Sequence, residues 1–165
     1  MFDRLKLNHL VQYMLTRMPP PPRSLEQRKR DTLEQLRGAV DLWVASAGED
    51  GDAHLVPLSY YWDGSTLTVA TVRASRTARN LIRSGRARVA LGPTRDVVII
   101  DGSVEAIALG ADPALEDAHA RATGFDPRTL AAEYVYLRIT PHAIQAWREE
   151  NELAGRDVMR NGRWL

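Results

Sequence analysis

The chain has 165 residues, 44% hydrophobic and 26% charged, which suits one domain with a buried core and excludes a wholly disordered chain. A net charge of +1 argues against a dedicated nucleic-acid binder, and the lack of cysteine excludes disulfides, thiolate metal sites and a cysteine nucleophile. No apolar run approaches the ~20 residues that span a bilayer, and Asp3 and Asn8 interrupt any signal-peptide core, so a cytoplasmic protein with no nucleic-acid or membrane partner is expected.

Residues 2–17 carry Phe2, Leu5, Leu10, Val11 and Met14 close to helical spacing, and Pro19 to Pro22 then break the helix. This divides the chain into an N-terminal arm with a proline linker, 1–23, and a single domain, 24–165. Removal of residues 1–17 is therefore expected to leave the domain folded. The check is a melting temperature close to that of the full chain; a large drop would show that the arm packs on the core or on a partner subunit.

Ser24 predicts the N-cap of a helix, with Gln27 at the capping-box position and Leu25, Leu33 and Leu36 on its apolar side. From Ala39 the period changes to that of strands. Strands are predicted at 40–45, 54–62 and 66–71, joined by the turns Gly48 to Asp52 and Asp63-Gly64. Ser75 predicts the cap of a short helix that stops near Gly85. Strands follow at 87–91 and at 96–109, the second interrupted at Asp101-Gly102. A helix is predicted from Pro113 to Ala122, with a possible further turn at 127–132. Tyr134 to Thr140 and Ala143 to Trp147 read as two more strands, and Asn161-Gly162 as a tight turn in the tail. The sum is a β-rich α+β domain, a barrel or a sandwich.

Chemistry concentrates around the Ser75 helix. Between Arg73 and Arg95 lie Arg73, Arg76, Arg79, Arg83, Arg86, Arg88 and Arg95, with no acidic residue between them. A helix start presents unpaired N–H groups and the positive end of its dipole, and Arg76 and Arg79 share a face near it. An anion such as phosphate suits that arrangement, although arginine runs on short helices also serve as solvated faces. His9, His54, His119 and His142 are scattered without metal-site spacing, so no metal site is expected. Neither a G-x-S-x-G elbow, a Gly-rich dinucleotide fingerprint nor a P-loop is present, and no catalytic side chain can be named.

The order of elements is more specific than any one of them. The strand His54-Leu55-Val56-Pro57-Leu58-Ser59-Tyr60-Tyr61-Trp62 ends in Asp63-Gly64. The next strand ends in Thr71, and Ser75-Arg76-Thr77-Ala78-Arg79-Asn80-Leu81 follows at once. This resembles the flavin-binding split-barrel family, the pyridoxamine 5'-phosphate oxidase-like proteins and their deazaflavin-binding relatives. The likeness runs from about Leu36 to Gly102 and returns at Ile144 to Trp147.

The resemblance implies a six-stranded antiparallel split β-barrel with flanking helices, assembled as a homodimer with the cofactor site at the subunit interface. It implies an FMN-binding oxidoreductase acting on a small-molecule substrate. An F420-dependent reductase, or a flavin or haem carrier without turnover, is the alternative on the same fold. Carried over, Ser75, Arg76, Thr77, Arg79 and Asn80 lie on the phosphate side, and Thr71 beside the ribityl chain or ring. Pro57, Leu58 and Ser59 present backbone groups to the ring edge, and Trp147 reaches the site from the other subunit. Two departures stand out. The family often has lysine where Thr77 stands, and a basic residue common near the end of the second strand is absent. The basic residues that bind pyridoxal phosphate near the C-terminus of the true oxidase are not recognisable, so vitamin B6 oxidation is not expected.

Overall fold

A computed structural model describes residues 20–165, so the expectations for residues 1–19 lie outside the described part. Helix α1 (Leu25–Gly38) starts where Ser24 accepts a hydrogen bond from Gln27 N. It is followed by β1 (Asp41–Ala47), β2 (Ala53–Trp62), β3 (Leu67–Val72), α2 (Arg76–Ser84), β4 (Arg86–Leu91) and β5 (Val97–Ala108). Helix α3 (Pro113–Thr123), a 3-10 turn at Pro127–Thr129, and β6 (Tyr134–Trp147) come next, then a 3-10 turn at Glu150–Glu152, β7 (Asp157–Arg160) and β8 (Arg163–Trp164).

The strands run in the order β3-β2-β1-β4-β5-β6-β7-β8, and β3 also pairs with β6. That last pairing closes six strands, β1 to β6, into an antiparallel barrel and leaves β7 and β8 outside the ring. The expected β-rich α+β split barrel with flanking helices is what the chain forms. Alternation explains the closure. In β1, Leu42 and Val44 are buried while Asp41 and Trp43 are exposed, and the inward set continues with Val69, Val89, Ile100, Leu137 and Ile139. Helix α1 joins this interior through Leu36, whose carbonyl accepts the Tyr60 hydroxyl at 3.0 Å.

Two expectations needed revision. The two late strands are one 14-residue strand, β6, which runs through Pro141, and β5 is likewise continuous across Asp101-Gly102. The reason is a register shift between Asp101 and Gly102, opposite Pro141, where the ladder already skips a residue. Proline, lacking an N–H, is tolerated at such a bulge. Glycine is needed opposite it, because a Cβ at 102 would lie 2.7 Å from both Ile139 Cγ2 and the Thr140 carbonyl oxygen. The further turn after α3 is only the 3-10 turn.

A second, smaller apolar cluster lies on the outer surface of the barrel. Ala70, Ile107 and Tyr136 face Leu115 of α3, with Tyr61 and Phe125 at the margin. Helix α3 is capped by Asp112, which accepts from Leu115 N, and it stops at Gly124, whose φ of 71° suits glycine. Arg138 of β6 donates to Asp112 at 3.1 Å and so pins the helix start to the sheet.

The linker is held at the other end of the molecule. Arg23 donates to Asp31 at 2.8 Å and to Glu152 at 2.7 and 2.9 Å, and the Arg23 backbone N–H donates to Glu152 as well. Asp96 and Arg148 complete the cluster. Asn151 also donates to the Pro20 carbonyl, so residues 20–23 are bonded to the domain that follows them.

Candidate functional site

The site is created by a strand pair that stops early. β2 pairs with β3 only through Tyr60–Val69, Tyr61–Thr68 and Trp62–Leu67. Beyond them β3 continues through Ala70, Thr71 and Val72 bonded to β6 alone, while β2 continues through Pro57, Leu58 and Ser59 bonded to β1 alone. Between the separated strands lies a cleft of about 290 Å³. Its two walls are Pro57 to Ser59 and Ala70 to Val72, and its roof is His119, Phe125 and Tyr134. Backbone groups on both facing edges lack a ladder partner, and Pro57 fits an unpaired edge because it has no N–H to place.

Helix α2 opens beside the Thr71 wall. The hydroxyls of Thr71 and Ser75 are 3.3 Å apart, and Ser75 accepts from Ala78 N at 3.1 Å as N-cap. The helix phase then sends alternate residues in different directions. Arg76 turns outward and pairs with Asp52 at 2.6 Å. Asn80 is buried and donates to Ser46 at 3.2 Å.

Thr77, placed by the sequence on the phosphate side, is turned inward. It is 3% exposed, with its hydroxyl 3.1 Å from His54 Nε2. The arginine run is also less free than its sequence implies. Arg73, Arg76, Arg83, Arg88 and Arg95 pair with Glu133, Asp52, Glu49, Asp101 and Glu149, all from outside the run. Among the described residues, Arg79 and Arg86 have no carboxylate partner. Arg79 donates to the Ala74 carbonyl, within its own helix start.

The structure thus brings Pro57, Leu58, Ser59 and Thr71 to one cleft, with Ser75 bonded to Thr71 at its side and Arg79 on the same helix start. It does not bring Trp147 there. Trp147 lies at the far end of β6 from Tyr134, opposite Val97, with the Arg156 guanidinium 5.5 Å from its ring centre. Among the described residues no cluster of potential metal ligands occurs, and no helix is long and apolar enough to cross a membrane.

Five lining residues were missed by sequence reasoning: Ala70 and Val72 on either side of Thr71, and His119, Phe125 and Tyr134 in the roof. The signal for His119 was its place four residues after Leu115, on the apolar side of α3. Its imidazole is buried edge-on to the Tyr136 ring, with ring centres 5.2 Å apart. Burial pushes its pKa below the ordinary value, against the weaker pull of the Phe125 carbonyl and Asp126. Burial likewise pushes the Tyr136 hydroxyl up to about 12. Both groups are neutral at neutral pH.

An antiparallel barrel with one split strand pair and a helix start beside the split is a split-barrel architecture. The sequence matches the family described as Pyridoxamine 5'-phosphate oxidase over residues 30–148, and the chain belongs to that family. Solved structures agree on the fold. General Stress Protein 26 from Bacillus anthracis is 18% identical with a TM-score of 0.57, the match covering 74% of this chain and 95% of that one. A structure described as F420 Reductase is 18% identical with a TM-score of 0.56, covering 67% of this chain and 93% of that one. A heme binding protein from Mycobacterium smegmatis is 16% identical with a TM-score of 0.64, covering 88% of this chain and 60% of that one. A search of curated proteins finds no match.

Proposed function

We propose that the cleft between β2 and β3 seats the ring of a flavin-type cofactor, FMN first and F420 second, and that the chain is an oxidoreductase acting on a small molecule. The observation that carries this reading is the parting of β2 from β3 beyond Tyr60, which leaves backbone donors and acceptors facing each other across a slot. A flavin ring is flat, apolar on its faces and polar along its pyrimidine edge. The edges of Pro57 to Ser59 suit that polar rim, and Phe125 and Tyr134 suit a face. Ser75, Arg79 and the α2 start offer the phosphate a dipole end and a guanidinium that has no carboxylate partner among the described residues and bonds only the Ala74 carbonyl. Arg76, Thr77 and Asn80 support this side indirectly, by fixing the helix start against Asp52, His54 and Ser46. When bound, the cofactor supplies the hydride chemistry, so the protein's work is to bind, orient and shield the ring.

About 290 Å³ is at the small end of the range for small-molecule sites, roughly 300–1,000 Å³. A half-site completed by a second copy, with Trp147 contributed across the interface, accounts for that size. The outer face of β1 and β2 supports such a homodimer. Trp43 is 50% exposed and Leu55 58% exposed, and they project from neighbouring positions on the same face. Leu55→Asp combined with Trp43→Asp should leave the barrel folded and weaken dimerisation by well over tenfold, since apolar anchors of this kind carry about 2 kcal/mol or more each. Light scattering at micromolar concentration checks this. A wild-type monomer would contradict the shared site.

A carrier that holds flavin or haem without turnover is the second reading, favoured by threonine at 77 in place of the lysine frequent in the family and by the pairing of Arg76 with Asp52, which together leave fewer free charges on the phosphate side. The visible spectrum of the purified protein separates these cofactors, since flavin, F420 and haem absorb in distinct bands. Reduction of the bound cofactor by NADPH, or substrate reduction driven by reduced F420, then separates enzyme from carrier. A flavin that stays oxidised under every donor would establish the carrier.

A further inference from the structure

We propose that His119 reads the polar edge of the ring held between β2 and β3, as hydrogen-bond partner to a ring nitrogen or carbonyl. The inference takes the ligand from the flavin reading above and adds the contact that selects it.

His119 is 1% exposed, and neither ring nitrogen has a hydrogen-bond partner of good geometry among the described groups; the Phe125 carbonyl lies near enough to pull only weakly on the ring. Buried polar groups nearly always have a partner, and an unpaired one costs stability. This imidazole also lines the cleft. A buried, unpaired donor and acceptor at the wall of a slot is a cost to the free protein that a ligand can offset. As a neutral ring it carries one N–H and one bare nitrogen, so it can satisfy either a carbonyl or an N–H on the ligand edge.

The surroundings hold the imidazole still. The Thr123 hydroxyl donates to the His119 carbonyl at 2.8 Å. One turn earlier, Glu116 accepts from Gly110 N at 2.6 Å. Arg128 bonds both Asp117 and Asp126 and so fixes the loop that carries Phe125. The Tyr136 ring then sets the tilt of the imidazole. None of these contacts uses a ring nitrogen. They position a recognition group without satisfying it, which a purely structural histidine would not require.

The test compares His119→Leu and His119→Gln with wild type, using FMN and phosphate-free riboflavin as probes. His119→Leu should keep or raise the melting temperature of the ligand-free protein, because it removes an unsatisfied group from an apolar wall. It should also weaken FMN and riboflavin equally, by on the order of tenfold or more, since the contact is to the ring. His119→Gln, which retains a donor and an acceptor, should recover part of the loss. In the wild type, the His119 ring-nitrogen NMR signals should move when riboflavin is added.

Unchanged affinity in both variants, together with still NMR signals, would overturn the inference while leaving the flavin reading in place. A His119→Leu chain that melts far lower yet binds as wild type would likewise mark a structural residue. Should the leucine variant not fold, the glutamine variant and the NMR titration decide. Wild-type protein that binds none of FMN, riboflavin and F420 would overturn the functional reading, and this contact with it.

Discussion

Glu152→Ala should lower the melting temperature by roughly 10 °C without changing which ligand the barrel accepts. Glu152 and Arg23 have side chains only 4% and 8% exposed, and they meet at 2.7 Å. One Glu152 oxygen accepts from Arg23 N, and the other from Arg148 N, both at 2.8 Å. Removing the carboxylate strands two backbone donors and much of a buried guanidinium. Breaking a buried pair in this way costs about 3–5 kcal/mol, and each kcal/mol is worth about 2–4 °C in a chain of this size.

The acid limb of stability supplies the sign. The bonded Arg23 guanidinium holds Glu152 at about 2, below its ordinary 4.5. Its folded-state pKa is lowered, so its contribution is fully present above about 4.5 and disappears as the pH falls through about 2. Over that window the wild type should lose stability faster than Glu152→Ala does. Thermal melts of the two proteins at several acidic pH values check this, and parallel curves would show that Glu152 carries none of the acid sensitivity.

Arg79→Ala should weaken phosphate-bearing cofactors about 10- to 100-fold and leave riboflavin almost untouched. Arg79 is exposed on the first turn of α2 and has no carboxylate partner among the described residues, so its charge is available to a phosphate. A charge-assisted hydrogen bond contributes about 1.5–3 kcal/mol, and the upper part of the range applies where the contact is shielded from water. Fluorescence titration with FMN and riboflavin in parallel separates the cases. Equal losses for both ligands would mean that Arg79 acts through its bond to Ala74 and the shape of the helix start. The pattern is opposite to that expected for His119, so the two variants together locate the two ends of the ligand.

Much of this site was legible because its elements have strong local signatures. Ser75 announced a cap, and Gly85 a stop with φ of 65°. Strand alternation from Leu42 onward announced the barrel wall. The joining of Pro57, Leu58 and Ser59 with Thr71 followed from the order of motifs, through family likeness, since no local rule places two strands beside each other. What stayed hidden depends on partners distant in sequence. The arginine run looked like a free positive field, yet Asp52, Glu133 and Glu49 come from other turns to neutralise much of it. Thr77 was expected on the phosphate side through family likeness, since lysine is frequent there, but one step of helix phase beyond Arg76 turns it toward His54. Pro141 read as a break because the skipped residue opposite Gly102 is a property of the pair and not of either strand. His119 looked like a lone histidine because its significance lies in bonds it does not make.

A crystal structure of the chain grown with FMN tests most directly whether the slot between the separated edges of β2 and β3 holds the ring. The ring should lie between Pro57 to Ser59 and Ala70 to Val72, with His119 at its polar edge and the phosphate within hydrogen-bond distance of Arg79. A ring bound elsewhere, or β2 and β3 zipped together through Ser59 and Ala70, would contradict that placement.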